Sequence, residues 1–130
     1  MKVKALDHLV LTVTNFDPTV AFYCSVLGME REDFRPADGS LRTALKFGNQ
    51  KINLHEAGAE FDPKSRRPTP GSADLCFLTD TPLSQWEAHF AVNAVPIEQG
   101  PVARTGATGP ITSLYVRDPA GNLIEVSVRD

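Results

Sequence analysis

The feature that most constrains this chain is a series of element signals that runs through it twice: a short apolar strand, a helix and three further strands. Leu6 to Val13 is an apolar, β-branched run with a histidine inside it and reads as a strand. A helix start follows. Asn15 or Asp17 can cap it, Pro18 suits its first turn, and Val20, Ala21, Phe22, Val26 and Leu27 form an apolar stripe closed by Gly28. Met29 to Arg35, Leu41 to Phe47 and Gln50 to Glu56 read as strands, separated by turn signals at Ala37 to Ser40 and at Gly48-Asn49. After a Pro- and Gly-rich stretch, Ala57 to Ser72, the order repeats. Ala73 to Thr79 is a strand, and Asp80-Thr81-Pro82 starts a helix whose stripe is Leu83, Trp86, Phe90 and Ala91. Val95 to Gly100, Ile111 to Arg117 and Leu123 to Val128 are three more strands.

The expected fold is therefore α+β: a single domain over 1–130, with βαβββ modules at 1–56 and 73–130. The linker at 57–72 is either a connector or a loop flanking a site. A chain of 130 residues, 42% hydrophobic and 22% charged, can bury its own core. Thirteen basic residues against sixteen acidic ones, scattered except at Lys64, Arg66 and Arg67, give no support for nucleic-acid binding. No apolar stretch is long enough to cross a bilayer, so the expectation is a cytoplasmic protein without membrane association. Cys24 and Cys76 lack disulfide or zinc spacing and read as packed thiols.

Side chains alternate faces along a strand, so parity shows which residues share a surface. His8 opposes Leu9 and Leu11; Asn53 and His55 oppose Ile52 and Leu54; Asp74 opposes Leu75; Glu125 opposes Ile124 and Val126. The apolar members belong under the helices. The other face then carries His, Asn, Asp or Glu at what parity makes a similar depth on four strands. These are metal-ligand types, and two histidines with one carboxylate would leave coordination positions open for substrate. Each residue alone also has an ordinary reading, as a hydrogen-bonded histidine or an edge salt bridge.

The segments Leu6 to Val13, Ala21-Phe22-Tyr23 with Val26 to Met29, and Asp118 to Val126 resemble the vicinal oxygen chelate superfamily, the glyoxalase, bleomycin-resistance and dioxygenase group. Lys51 to His55, Arg67 to Asp74 and Arg104 to Pro110 are similar to a small glyoxalase-domain subgroup with bacterial virulence-associated members. The resemblance implies a concave, barrel-like mixed sheet with helices outside, a homodimer, and one divalent metal per chain (Ni, Mn, Fe, Co or Zn). A thiol such as glutathione is a candidate second cofactor. The family's four ligand places fall on His8, on Asn53 or His55, on Asp74 and on Glu125. Where glyoxalase I has a glutamate on strand four and a histidine on strand five, this chain has Asn53 and Asp74. The resemblance implies His8, His55 and Glu125 as ligands, with Asp74 as a fourth or as an acceptor that orients a histidine.

By the same resemblance the expected activity is a glyoxalase-type lyase acting on a small oxygenated metabolite, such as a 2-oxoaldehyde–thiol hemithioacetal. Glu125 or Asp74 would move the proton, while Arg104, Asn53 and Tyr115 would contact substrate or thiol. Two alternatives stand beside it. One is an Fe(II) or Mn(II) dioxygenase; the other is a metal-independent drug- or metabolite-binding protein of the bleomycin-resistance type. A fosfomycin-type thiol transferase fits less well, because its strand-five ligand would be histidine.

Overall fold

Each half of the chain builds a mixed four-stranded sheet in which one strand pair runs parallel and the others antiparallel. The computed structural model describes residues 1–130, which divide into two units, Met1–Pro70 and Gly71–Asp130. The first unit runs β1 (His8–Val13), α1 (Phe16–Ala21), a π-helical turn (Phe22–Val26), β2 (Glu30–Phe34), β3 (Arg42–Phe47) and β4 (Gln50–Glu56), ordered β1-β4-β3-β2 in its sheet. The second runs β5 (Asp74–Leu78), α2 (Leu83–Val92), β6 (Gln99–Gly106), β7 (Gly109–Arg117) and β8 (Leu123–Arg129), ordered β5-β8-β7-β6. One topology occurring twice is what an internal duplication produces.

The expected single barrel-like sheet is instead two open sheets, with β1 and β2 as edges of one and β5 and β6 as edges of the other. A barrel needs every strand paired on both sides, and these edges are not.

Burial follows strand parity. In the first unit Leu11, Val13, Leu45, Ile52 and Leu54 are buried on one face, with Phe22, Tyr23 and Val26 completing the core. The wide π turn brings Phe22 edge-on to Tyr23 with centroids 5.3 Å apart. In the second unit Leu114, Val116, Ile124 and Val126 form the buried strand face, and Phe90 of α2 is fully buried. Each large side chain so removed from water contributes roughly 1.5–3 kcal/mol. Asn15 takes the extended backbone of an N-cap, but its side chain makes no capping bond. Thr19 instead donates its hydroxyl to the Asn15 carbonyl at 2.8 Å.

The sixth strand departs most from expectation. Residues 95–98 precede it, and Arg104-Thr105-Gly106, beyond the expected strand at Val95 to Gly100, lies within it. The segment Gln99-Gly100-Pro101 has no apolar alternation to mark a strand, and the register shifts between Gln99 and Val102, as at a bulge. Gly100 makes the shift feasible: its φ is +113°, and a Cβ there would lie 2.4 Å from the Ser113 carbonyl oxygen. Gly100→Ala is expected to cost about 2 kcal/mol or more, read as a lower urea midpoint at unchanged m. A variant as stable as the parent would show that the bulge yields without cost.

The turn between β7 and β8 is tied from inside. Asp118 Oδ1 accepts from the backbone N–H groups of Ala120 and Asn122, each at 2.9 Å, and Asn122 Nδ2 donates to Asp118 Oδ2 at 2.8 Å. Asn122 Oδ1 in turn accepts the Ala73 N–H at 2.9 Å, which fixes the entry to β5.

Candidate functional site

Strand register decides which of the candidate residues can act together. In the first unit His8 pairs with Lys51, Val10 with Asn53 and Thr12 with His55. His8 and His55 share a face, as parity predicted, but they sit four residue steps apart, roughly 13 Å along the strands. A single ion takes imidazole nitrogens at about 2.0–2.1 Å, so this spacing does not favour the two rings of one chain as neighbouring ligands.

Asn53 lies only two steps from the residue paired with His8, and its Oδ1 is buried without a hydrogen-bond partner. In the second unit Asp74 pairs with Leu123 and Cys76 with Glu125. Superposing the two registers equates Asn53 with Glu125 and His55 with Ser127. The sequence by itself leaves Asn53 and His55 both open at that place. A two-residue slip leaves every side chain on the same face, so parity does not detect it.

Glu125 is the best-held polar group. Ser113 and Ser127, both fully buried, converge on its Oε2, Ser113 by a short hydrogen bond and Ser127 at 3.3 Å. The two hydroxyls lie 2.7 Å apart, and the Cys76 sulfur lies 3.3 Å from Ser127 Oγ. Ser113 donates to the carboxylate, the single proton of Ser127 goes either to Glu125 Oε2 or to Ser113 Oγ, and Cys76 is placed to donate to Ser127. Oε1 receives neither hydroxyl.

Glu125, Cys76, Arg104, Ile111 and Arg129 line a cleft of about 340 Å³. Arg104 donates from Nε to the Tyr115 hydroxyl at 2.9 Å and from Nη1 to the Ala103 carbonyl at 3.0 Å, which leaves Nη2 for an anion. Tyr115 pairs directly with Glu125 across β7 and β8, so Arg104, Tyr115 and Glu125 belong to one surface. Cys76, expected to be packed, is exposed on that surface. Partial burial of its sulfur pushes the thiol above its ordinary range, with Glu125 and Asp74 adding to the effect, so it is protonated at neutral pH. Sequence reasoning missed Ser113 and Ser127 as holders of Glu125. Ser127 was visible by parity, whereas Ser113 needs the β7–β8 register.

His8 is half-exposed, and its Nδ1 lies 2.8 Å from Asp7 Oδ1. A ring donating there keeps its Nε2 lone pair for a ligand, the arrangement usual for metal-binding histidines. Asp74 is exposed at the start of β5. His55 is only 6% exposed. Its ring meets Phe61 edge-on at 5.4 Å, and the Arg42 guanidinium lies 4.1 Å from the Phe61 centroid.

Burial, then the positive charges of Arg42 and Lys64 against the opposing pull of Glu60, hold the His55 imidazole below its ordinary pKa of 6.5. The folded chain thus refuses a proton that the unfolded chain accepts once the pH falls below about 6.5. Stability should fall with pH from there down to the folded pKa, by at most about 1.4 kcal/mol per pH unit, and His55→Gln should flatten this part of the profile. Equal slopes in urea titrations of parent and variant would remove His55 as the cause.

As for a metal, the donor chemistry fits in pairs. One unit offers the His8 imidazole and the unpartnered Asn53 oxygen; the other offers the carboxylates of Asp74 and Glu125. No three His, Cys, Asp or Glu side chains gather where they could hold an ion. No helix is long and apolar enough to cross a membrane.

Duplicated βαβββ units with a polar strand face define a vicinal-oxygen-chelate protein, and comparison with known proteins agrees. Residues 5–126 match the profile of the Glyoxalase/Bleomycin resistance protein/Dioxygenase superfamily, and the chain belongs to that superfamily. It is 52% identical over 127 residues to virulence protein STM3117 of Salmonella typhimurium, covering 98% of this chain and 85% of that one. A solved integron cassette protein from the mobile metagenome of V. cholerae is 56% identical, with a TM-score of 0.93 over 100% of this chain and 98% of its own. A lactoylglutathione lyase from Agrobacterium tumefaciens is 27% identical, with a TM-score of 0.71 over 98% and 95% of the two chains.

Proposed function

We propose that the chain is a divalent-metal-dependent lyase of the glyoxalase type, acting as a homodimer on a small oxygenated metabolite such as a 2-oxoaldehyde–thiol hemithioacetal. The observation that carries this reading is Glu125, a carboxylate lining a cleft with one oxygen fixed by two buried serines. A base held in this way is positioned before substrate arrives, so little reorganisation is needed during the reaction. Glu125 takes a proton from one carbon and returns it to the neighbouring carbon. Arg104, steered by Tyr115, pairs with a carboxylate of the thiol-bearing part through Nη2. His8 with Asn53 in one unit, and Asp74 with Glu125 in the other, are the donor pairs that would hold an ion. When bound, it would polarise the vicinal oxygens and stabilise negative charge on them.

The relation to a lactoylglutathione lyase supports this choice of chemistry. The lack of a three-donor cluster favours a second reading, a metal-independent binder of a small metabolite. The deciding experiment reconstitutes chelator-stripped protein with Ni, Mn, Fe(II), Co or Zn, measures stoichiometry, and assays methylglyoxal with glutathione. About one equivalent per chain together with turnover supports the lyase. No specific uptake and no turnover sinks it and leaves the binder.

A further inference from the structure

The Pro- and Gly-rich stretch between β4 and β5 is built as a stiff strap with a latch. It leaves the sheet at Ala57, whose N–H bonds the Val13 carbonyl at 2.8 Å, and ends at Ala73, which Asn122 holds. Residues 57–72 form no helix or strand between these anchors. The strap is tied chiefly to itself. Glu60 accepts the Gly58 N–H at 2.6 Å through Oε2 and meets the Lys64 ammonium at 3.6 Å through Oε1. Pro63, Pro68 and Pro70 fix φ further along, so the segment is stiffer than an ordinary loop of its length.

The contacts that hold the strap against the sheet centre on Phe61. Its ring stands edge-on to His55 of β4 at 5.4 Å, and the Arg42 guanidinium of β3 lies 4.1 Å from its centroid. Arg42 is itself braced by Asp38 at 2.9 Å, so both jaws of the clasp belong to the sheet and its loop. Ring contacts of this kind are weak beside a strand ladder, and they can part while the ladder stays whole. Gly58 supplies a pivot: its φ is +86°, and a Cβ there would meet nothing within 4 Å. Beneath the strap, Pro63, Lys64 and Pro68 face Val10, Thr12 and His55 across about 380 Å³. Register puts Val10 and Thr12 on the face that also carries His8 and Asn53.

We propose that residues 58–70 are a lid over this face, turning at Gly58 and shut by Phe61 between His55 and Arg42, and that small molecules reach the covered part only when it opens. That the covered face is the ligand side rests on the lyase reading; the latch and its opening do not.

The test compares variants with the parent by three rates, each read on its own peptide by mass spectrometry and none of them turnover. These are tryptic cleavage after Lys64 and Arg66, maleimide labelling of a Thr12→Cys probe beneath the strap, and labelling of Cys24 in the π-helical turn, which follows opening of the whole unit. Phe61→Ala should raise the first two together by about tenfold and leave Cys24 unchanged, whereas Phe61→Tyr keeps the ring and should stay within about twofold of the parent. Arg42→Met leaves the ring in place but removes the cation over it, and should raise the same two rates by a smaller factor. Glu125→Gln, inert under the lyase reading, should leave all three rates at the parent's values, so failure of that reading would not imitate failure of the lid. Cleavage of the parent as fast as a free peptide of residues 57–72 would show that nothing holds the strap shut. The proposal is also overturned if Phe61→Ala and Arg42→Met both cleave at the parent rate, if cleavage rises without Thr12→Cys labelling, or if Cys24 labelling rises by the same factor in both variants.

Discussion

Glu125→Gln is expected to lower kcat for a 2-oxoaldehyde hemithioacetal by about 10³-fold, within the range that a positioned general base supplies, and to leave KM within a few-fold. The argument rests on shape and basicity separately. Glutamine keeps the length of the side chain, and its amide oxygen can still accept from Ser113, so the β7–β8 surface should stay intact and the melting temperature should hardly move. What the amide lacks is a lone pair basic enough to take a proton from carbon. Metal content measured on the same variant divides the role. Lost turnover with retained metal makes Glu125 the proton carrier, and loss of both makes it a ligand as well. A variant within about tenfold of the parent rate, with its metal retained, would remove Glu125 from the chemistry. Asp74 would then be the remaining carboxylate, since it shares the face with Cys76 and Glu125 by register.

Much of this was legible in the chain itself, because strand parity is a local property. The alternation around His8, Asn53, Asp74 and Glu125 placed each on the polar face, and the strand boundaries at β3, β4 and β8 lie within a residue of those expected. Register is a different kind of information. It is set by pairing between strands far apart in sequence, and a slip by two residues costs nothing in the hydrophobic pattern. For that reason Asn53 and His55 stayed open as the strand-four residue, whereas the register makes Asn53 the counterpart of Glu125 and Ser127 that of His55. The same limit hid Ser113, whose contact with Glu125 crosses two strands. β6 was placed too early, at Val95 to Gly100, for another reason. Gly100 and Pro101, residues that weaken a strand signal, sit at its bulge, between the Gln99–Tyr115 and Val102–Ser113 pairs.

The turn that closes the second unit should carry the largest single stability effect. Asn122→Ala is expected to cost about 3 kcal/mol, because Asn122 is 1% exposed and answers for two buried groups at once. Its Oδ1 accepts the Ala73 N–H, and its Nδ2 donates to Asp118. Truncation leaves a backbone donor and a carboxylate oxygen without these partners, and each unsatisfied buried group costs roughly 1–3 kcal/mol, more when charged. Water entering the gap would soften the loss. The effect should also be local in its first consequence, since Ala73 stands at the entry to β5, beside the backbone bond from the Leu123 N–H to its carbonyl. Amides of β5 should therefore lose exchange protection more than those of β3 in the other unit, an outcome that a uniform loss of stability would not produce. Asp118→Asn separates charge from geometry. An amide there can still accept through its oxygen from the Ala120 and Asn122 N–H groups but meets the Asn122 amide donor with a second donor, so it should cost less than removing Asn122 outright. If instead Asn122→Ala unfolds at the urea midpoint of the parent, the interlock contributes nothing to stability, and β5 must be held by its ladder to β8 alone.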